Sequence, residues 1–128
     1  MKNSSNLLSI CIPTYNRVND LVKLLKSIDS KFESNIEIII VDDGSTDNTK
    51  KSVEEFSFKS NMHIKYAYQE NMGRSYALHK AILLTKSEYI VIMDSDDLFV
   101  KNGVDTIISK ILPLMGNKNK NNMAGFVF

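Results

Sequence analysis

Two kinds of hydrophobic pattern alternate along the chain. Short runs that are almost entirely apolar, or that alternate apolar with polar residues, predict β-strands. Longer stretches with an apolar residue at every third or fourth position predict amphipathic helices. The predicted strands cover residues 7–12, 36–41, 63–68 and 88–93, and the predicted helices cover residues 18–30, 48–58, 74–85 and 103–112.

This order of elements predicts an α/β fold with a mostly parallel sheet and helices on both faces. The strand at 36–41 is nearly all apolar, so it is expected to be covered on both faces. The 128 residues suffice for one domain with a sizeable core. Residues 118–122 are polar and predict an exposed loop, whereas residues 124–128 are apolar and predict the start of another strand. We therefore expect a truncated domain that extends over residues 1–128.

Several residues are expected to mark the ends of these elements. Pro13 lacks a backbone N–H and is expected to end the first strand. Asn16 is expected to cap the first helix, and Thr46 or Asp47 the second, because Asn, Thr and Asp side chains accept hydrogen bonds from the first turn of a helix.

Composition removes some classes of function. The formal net charge is +1, which gives no overall attraction to nucleic acid or to an anionic membrane. Cys11 is the only cysteine and lies in an apolar run, so it is expected to be a buried core residue. No apolar run approaches the roughly 18 residues of a membrane span. The expected location is the cytoplasm, with peripheral association at the inner face of the membrane left open.

Polar residues collect where three of the four predicted strands end, at positions 13–17, 42–45 and 94–97. In open parallel sheets, ligands bind beyond the carboxyl ends of the strands. We therefore expect these three segments to lie along one edge of the sheet, where the loop at 71–74 joins them.

Asp94 and Asp96 flank Ser95 directly after the fourth predicted strand. Carboxylates this close repel one another unless a cation lies between them. Mg²⁺ or Mn²⁺ takes oxygen ligands and typically uses one or two carboxylates together with substrate phosphates. A solvated acidic turn that caps a helix explains the same residues without a metal, so both interpretations stay open.

Further side chains in these segments also have two interpretations. Asp42 and Asp43 offer acceptors to a base or ribose, or they stabilise a turn at Gly44. Tyr15 is placed to stack on a base, or it packs against the first helix. Arg74 stands at the predicted start of the third helix, where a guanidinium and a helix N-terminus both attract phosphate, or it is an ordinary surface arginine.

Together, four runs resemble the inverting glycosyltransferases of family 2, which have the GT-A fold. These runs cover residues 9–17, 37–47, 71–73 and 89–97, in the order and at the spacing of that family, and they extend over nearly the whole chain. The resemblance implies a Rossmann-like domain that binds a nucleotide sugar. It also implies that the acceptor-binding half is absent or begins only at the C-terminus.

The resemblance implies roles for individual residues. Tyr15 would lie against the base, Asp43 would accept a hydrogen bond from it, and Asp42 would support that turn. Asp94 would lie near the ribose and the donor sugar, and Asp96 would bind the divalent cation, Mn²⁺ or Mg²⁺, that bridges the diphosphate. The implied donor-binding set is Pro13, Thr14, Tyr15, Asp42, Asp43, Arg74, Asp94, Ser95 and Asp96, with Asp96 and Asp94 as metal ligands.

The implied reaction transfers a sugar from a nucleoside-diphosphate sugar, with a UDP-sugar favoured, to a hydroxyl group of a glycan or lipid-linked acceptor. Such a reaction belongs to the synthesis of polysaccharide or another glycan. In the family the general base lies downstream, and no candidate follows Asp105 here. The family often has an Arg-Asn pair on the third helix, where this chain has Leu78 and His79. We therefore expect the chain to bind the donor better than it turns it over.

Other classes of protein share some of these features. A phosphoacceptor receiver domain also has acids at strand ends, but here the acidic pair follows the second predicted strand, and no later strand ends in a Thr, Ser or Lys suited to phosphoryl chemistry. A nucleotide-binding module without catalysis stays open. A dinucleotide oxidoreductase is disfavoured because no Gly-x-Gly-x-x-Gly follows the first strand.

Overall fold

A computed structural model describes residues 6–115 of the chain. Each strand and helix predicted within these residues is present, with ends that differ by a few positions. The predictions for residues 118–122 and 124–128 lie outside the described residues. The strands are β1 (Leu8–Thr14), β2 (Ile36–Asp42), β3 (His63–Tyr68) and β4 (Ile90–Ile92), and the α-helices are α1 (Val18–Ser27), α2 (Thr49–Lys59), α3 (Arg74–Leu83) and α4 (Gly103–Met115).

The strands form one sheet in the order β3-β2-β1-β4, and each neighbouring pair is parallel. One face of β1 and β2, with Ile10 and Ile38, packs against α1, α2 and α4. The other face, with Cys11 and Ile39, packs against Ala77 and its neighbours on α3. The predicted α/β fold, with a parallel sheet and helices on both faces, is confirmed.

Burial decreases from the centre of the sheet to its edges. Every residue of β1 and β2 is buried, which confirms that the run 36–41 is covered on both faces. The edge strands β3 and β4 are only partly buried. Cys11 is buried as expected, and this burial, with the nearby Glu37 carboxylate, raises the pKa of its thiol to about 12. None of the helices within residues 6–115 is long and apolar enough to cross a membrane.

Pro13 does not end β1, contrary to the prediction. The strand continues to Thr14, and Pro13 pairs in register with Val41. Ser9 and Cys11 make their backbone hydrogen bonds to the β4 side, so the nitrogen of Pro13, two residues further along, points to the same side. The strand β4 stops pairing opposite Cys11. The missing N–H of Pro13 therefore costs the sheet no ladder hydrogen bond.

Asn16 does not cap α1, which is a second correction. The cap residue is Arg17 and its side chain makes no capping bond. The carboxylate of Asp47 instead accepts from the N–H of Val18 at 3.2 Å, so the first turn is capped from another loop. Asp47 also accepts from the N–H of Thr49 at 3.1 Å, although the cap residue of α2 is Asn48. One carboxylate thus satisfies donors at the starts of two helices.

Candidate functional site

An open cleft of about 480 Å³ lies at the carboxyl edge of the sheet. The segments expected to meet at this edge do so, because the ends of β1, β2 and β4 and the loop before α3 all contribute to its wall. Asp42 is the one member of the predicted donor-binding set that does not line the cleft. The lining residues are Pro13, Thr14, Tyr15, Arg17, Asp43, Asn71, Gly73, Arg74, Ala77, Asp94, Ser95 and Asp96.

Asp43 joins the end of β2 to the loop before α3. Its Oδ1 accepts from the N–H of Met72 at 2.8 Å and from the side-chain amide of Gln69 at 2.9 Å. Its Oδ2 accepts from the N–H of Gly73 at 3.0 Å. Burial acts to raise the pKa of Asp43, but these hydrogen bonds from Met72, Gln69 and Gly73 outweigh it and lower the pKa below its ordinary value. Asp43 is therefore a fixed anion in the wall of the cleft.

Asp42 lies behind the cleft and is 1% exposed. Its Oδ1 accepts from the N–H of Ser45 at 2.8 Å, and its Oδ2 accepts from the hydroxyl of Tyr66. Burial, together with this bond to Asp42, raises the pKa of Tyr66, so the phenol remains a neutral donor. Both oxygens of Asp42 thus serve the turn at the end of β2.

The loop that carries Tyr15 is tied to the loop after β2. The Asn16 side chain accepts from the N–H of Thr46 at 2.7 Å, and the N–H of Asn16 donates to Ser45 Oγ at 2.8 Å. These bonds fix Tyr15 at the mouth of the cleft with 47% of its surface exposed. Behind it, Thr14 Oγ1 is buried and has no hydrogen-bond partner within the described part of the chain. About half of the Tyr15 surface is thus open to solvent at the cleft.

The acidic segment after β4 gathers three carboxylates. One oxygen from each of Asp94, Asp96 and Asp97 lies within 4.8 Å of the other two. Hard divalent cations take ligands of this kind, so the residues present fit Mn²⁺ or Mg²⁺.

Two guanidinium groups approach these carboxylates from different parts of the cleft. Arg74, the first residue of α3, donates from Nε to Asp94 Oδ1 at 2.8 Å. Arg17, before α1, lies 3.4 Å from Asp96 Oδ2 through Nη1. Two positively charged side chains thus already lie against the carboxylates of the acidic segment.

Comparison with known proteins identifies the family. Residues 9–113 match the model of the glycosyl transferase family 2 domain. The chain belongs to glycosyl transferase family 2. This membership confirms the family indicated by the sequence motifs and disfavours the receiver-domain alternative.

Relatives within family 2 are longer than this chain. Glycosyltransferase GlyG of Streptococcus pneumoniae serotype 4 is 38% identical over 108 residues, which are 84% of this chain and 36% of GlyG. The structure of TarS 1–349 from S. aureus in complex with UDP-GlcNAc superimposes with a TM-score of 0.67 at 29% identity and covers 80% of this chain and 30% of TarS 1–349. The mannosyltransferase PcManGT from Pyrobaculum calidifontis, in complex with GDP-Man and Mn²⁺, gives a TM-score of 0.73 at 25% identity, over 82% of this chain and 32% of that protein. The chain therefore spans about a third of the length of these proteins.

The family 2 cleft includes residues outside the predicted set. Arg17 and Asn71 line it, Gln69 binds Asp43, and Asp97 joins the acidic group. Arg17, Asn71 and Asp97 lie in segments that the sequence placed at this edge, but the sequence assigned them no role. Gln69 directly follows β3, so the same rule about strand ends could have found it. The positions that replace the family's Arg-Asn pair do not line the cleft: Leu78 packs against the core beneath α3 and His79 is exposed.

Proposed function

We propose that this chain is the donor-binding part of a metal-dependent, inverting glycosyltransferase. It would hold a nucleoside-diphosphate sugar, with a UDP-sugar favoured, from which the sugar passes to a hydroxyl acceptor. The observation that carries the proposal is the meeting of Tyr15, Asp43 and Asp96 in one cleft. Structural relatives have been solved with UDP-GlcNAc and with GDP-Man and Mn²⁺, which supports a nucleotide sugar as the ligand.

The nucleobase of the donor would lie between Tyr15 and Asp43. A carboxylate offers about four acceptor positions. Three of those on Asp43 are occupied by Met72, Gln69 and Gly73, as described above, which leaves room at Oδ2 for one more donor. A base N–H or a ribose hydroxyl is such a donor. Because the protein already holds the Asp43 carboxylate in place, ligand binding would cost no conformational entropy for ordering that side chain.

The diphosphate would lie toward Asp94 and Asp96. These carboxylates, with Asp97 beside them, would hold Mn²⁺ or Mg²⁺, and the bound cation would offset the charge that grows on the leaving diphosphate. Arg74 is the first residue of α3. Its guanidinium and the N-terminus of the helix both attract phosphate oxygens. Pro13, Thr14 and Ser95 would complete the wall around the donor.

The acceptor hydroxyl would attack the anomeric carbon from the face opposite the diphosphate, which inverts the configuration at that carbon. A general base must remove the proton of this hydroxyl. The acids of the cleft already have assigned partners, since Asp43 is held by N–H donors and Asp94 and Asp96 by guanidinium groups. The base is therefore still predicted downstream of the donor-binding residues. A glycan or lipid-linked acceptor and a cytoplasmic location also stay predictions.

Calorimetric titration of the full chain with UDP, GDP and TDP, each with and without Mn²⁺, tests this function. We expect a nucleoside diphosphate to bind, Mn²⁺ to strengthen the binding, and Asp96→Ala to remove that dependence. Asp29→Ala is the matched control, since Asp29 is an exposed acid outside the cleft. Absence of nucleotide binding would contradict the donor site, whereas equal Mn²⁺ dependence in wild type and Asp96→Ala would contradict the metal assignment.

Release of free sugar from a bound UDP-sugar separates a catalytic part from a binding module without catalysis. A general base downstream of the donor-binding residues, as predicted, implies slow hydrolysis or none by this chain, even where UDP binds well. Fast transfer to an added hydroxyl acceptor would place the base within the chain.

A further inference from the structure

Arg17 forms an ion pair with Asp96, whose carboxylate is a proposed ligand of the divalent cation. Its Nη1 lies 3.4 Å from Asp96 Oδ2 and 3.6 Å from Asp20 Oδ2. The Arg17 side chain is 51% exposed, and the residue lines both the cleft and an adjoining open groove of about 750 Å³. Open space therefore borders the guanidinium, into which it can turn by rotation about its own side-chain bonds.

A divalent cation and this guanidinium cannot both remain on Asp96 at little cost. Two positive groups that share one carboxylate repel each other, and a divalent ion carries twice the charge of the arginine. An exposed ion pair of this kind is weak, so binding of a cation can displace the guanidinium. Once displaced, Arg17 would lie beside a bound diphosphate, and guanidinium groups prefer the paired oxygens of phosphates.

We propose that Arg17 is a further donor-binding residue that neutralises Asp96 before a divalent cation binds and moves to the donor diphosphate once the cation is bound. The inference rests on the proposed function of the same cleft. It makes cation and nucleotide binding interdependent: each ligand favours the position of Arg17 that the other requires. Because such coupling is reciprocal, Mn²⁺ strengthens UDP binding by the same factor by which UDP strengthens Mn²⁺ binding.

The test measures Mn²⁺ binding to the full chain from the electron paramagnetic resonance signal of free Mn²⁺, with and without UDP. The Mn²⁺ that UDP binds in solution is measured separately and subtracted. For Arg17→Met without nucleotide, we expect Mn²⁺ to bind about threefold more tightly, since the competing ion pair is gone. With saturating Mn²⁺ we expect UDP to bind about tenfold more weakly, since one charge-assisted hydrogen bond is lost. The coupling factor between the two ligands then falls about tenfold.

Lys23→Met is the matched control, because Lys23 is an exposed cation of α1 that does not line the cleft. It removes the same charge and should leave both affinities within about twofold of wild type, the spread expected for charges screened by salt. Arg17→Lys should restore part of the UDP affinity, because an ammonium keeps the charge without the paired geometry.

Two results would overturn the role of Arg17. One is Mn²⁺ affinity in Arg17→Met that is unchanged or weaker without nucleotide, and the other is an unchanged coupling factor. If the wild-type chain bound Mn²⁺ but no UDP, the proposed donor site would be wrong, while the titration with Mn²⁺ alone would still decide whether Arg17 competes for Asp96.

Discussion

Gly44 lies so close to Asn71 that a Cβ added to Gly44 would come within 2.9 Å of the Asn71 backbone nitrogen. Gly44 also has a φ of +92°, which side chains rarely adopt. Gly44→Ala would therefore strain the turn after β2 and push the loop before α3 away from Asp43. We expect the free energy of unfolding to fall by about 1–3 kcal/mol in urea titrations.

Gly103→Ala is the control for this substitution. Gly103 is the first residue of α4, where alanine favours the helix, and the nearest atom to an added Cβ is a side-chain methyl of Val100 at 3.3 Å. A small shift of that methyl relieves the contact, so we expect a change below about 1 kcal/mol. Equal losses in the two variants would contradict the close approach of Gly44 to Asn71.

Asp43 makes the protein sensitive to acid. Its pKa is lowered in the folded state, so its contribution to stability is complete above its ordinary value of 3.8 and is lost as pH falls through the lower folded value. Asp43→Asn should cost about 1–3 kcal/mol at pH 7, because an amide group cannot accept all three hydrogen bonds. As pH falls below 3.8 toward the lower folded pKa of Asp43, this variant should lose less stability than wild type. The control Asp29→Asn changes an exposed acid outside the cleft and should match wild type in stability at pH 7. A variant as acid-sensitive as wild type would show that Asp43 is not the anion described.

Glu37 holds the segment after α3 against the sheet. It is 1% exposed and accepts from Ser9 Oγ at 2.6 Å, from the N–H of Lys86 at 2.9 Å and from Lys65 Nζ at 3.0 Å. Burial acts to raise the pKa of Glu37, but these three donors outweigh it and lower the pKa. Lys65→Met removes the cation and leaves a buried carboxylate, so we expect a loss of about 1–3 kcal/mol.

The double variant Lys65→Met/Glu37→Gln tests this interpretation. Removing the charge of Glu37 as well should make the double variant lose less stability than the sum of the two single losses, since no buried charge is left unpaired. Additive losses in denaturant titrations would show that Lys65 and Glu37 do not interact.

The sequence predicted those parts of the fold that depend on local patterns. The apolar runs of β1 and β2 are covered on both sides, and the periodicity of α1 matches its buried residues. The convergence of the strand ends followed from one rule about parallel sheets, which is why the positions of Tyr15, Asp43 and Asp96 were correctly placed at one cleft.

The predictions that failed depend on partners far away in the chain. Asn16 is of a residue type that often caps helices, but its side chain accepts a hydrogen bond from a loop 30 residues further on. Pro13 remains inside a strand because the neighbouring strand β4 is short, which no property of Pro13 indicates. The ion pair of Arg17 with Asp96 was not predicted at all, because it spans 79 residues and depends on the packing of two loops. Local propensity cannot contain such information.

Tyr15 provides a test of the base-binding end of the cleft. Its ring stands at the mouth of the cleft with about half of its surface exposed, and stacking of a base on an aromatic ring is worth about 1–3 kcal/mol. We expect Tyr15→Ala to weaken UDP binding by about tenfold or more in calorimetric titration, and Tyr15→Phe to keep most of the affinity, since the ring rather than the hydroxyl makes the contact.

Phe58→Ala removes a ring that is 91% exposed on α2, outside the cleft, and should leave UDP affinity unchanged. Weakening of equal size in Tyr15→Phe and Tyr15→Ala would assign the contact to the hydroxyl instead of the ring. An unchanged affinity in Tyr15→Ala would remove Tyr15 from the donor site.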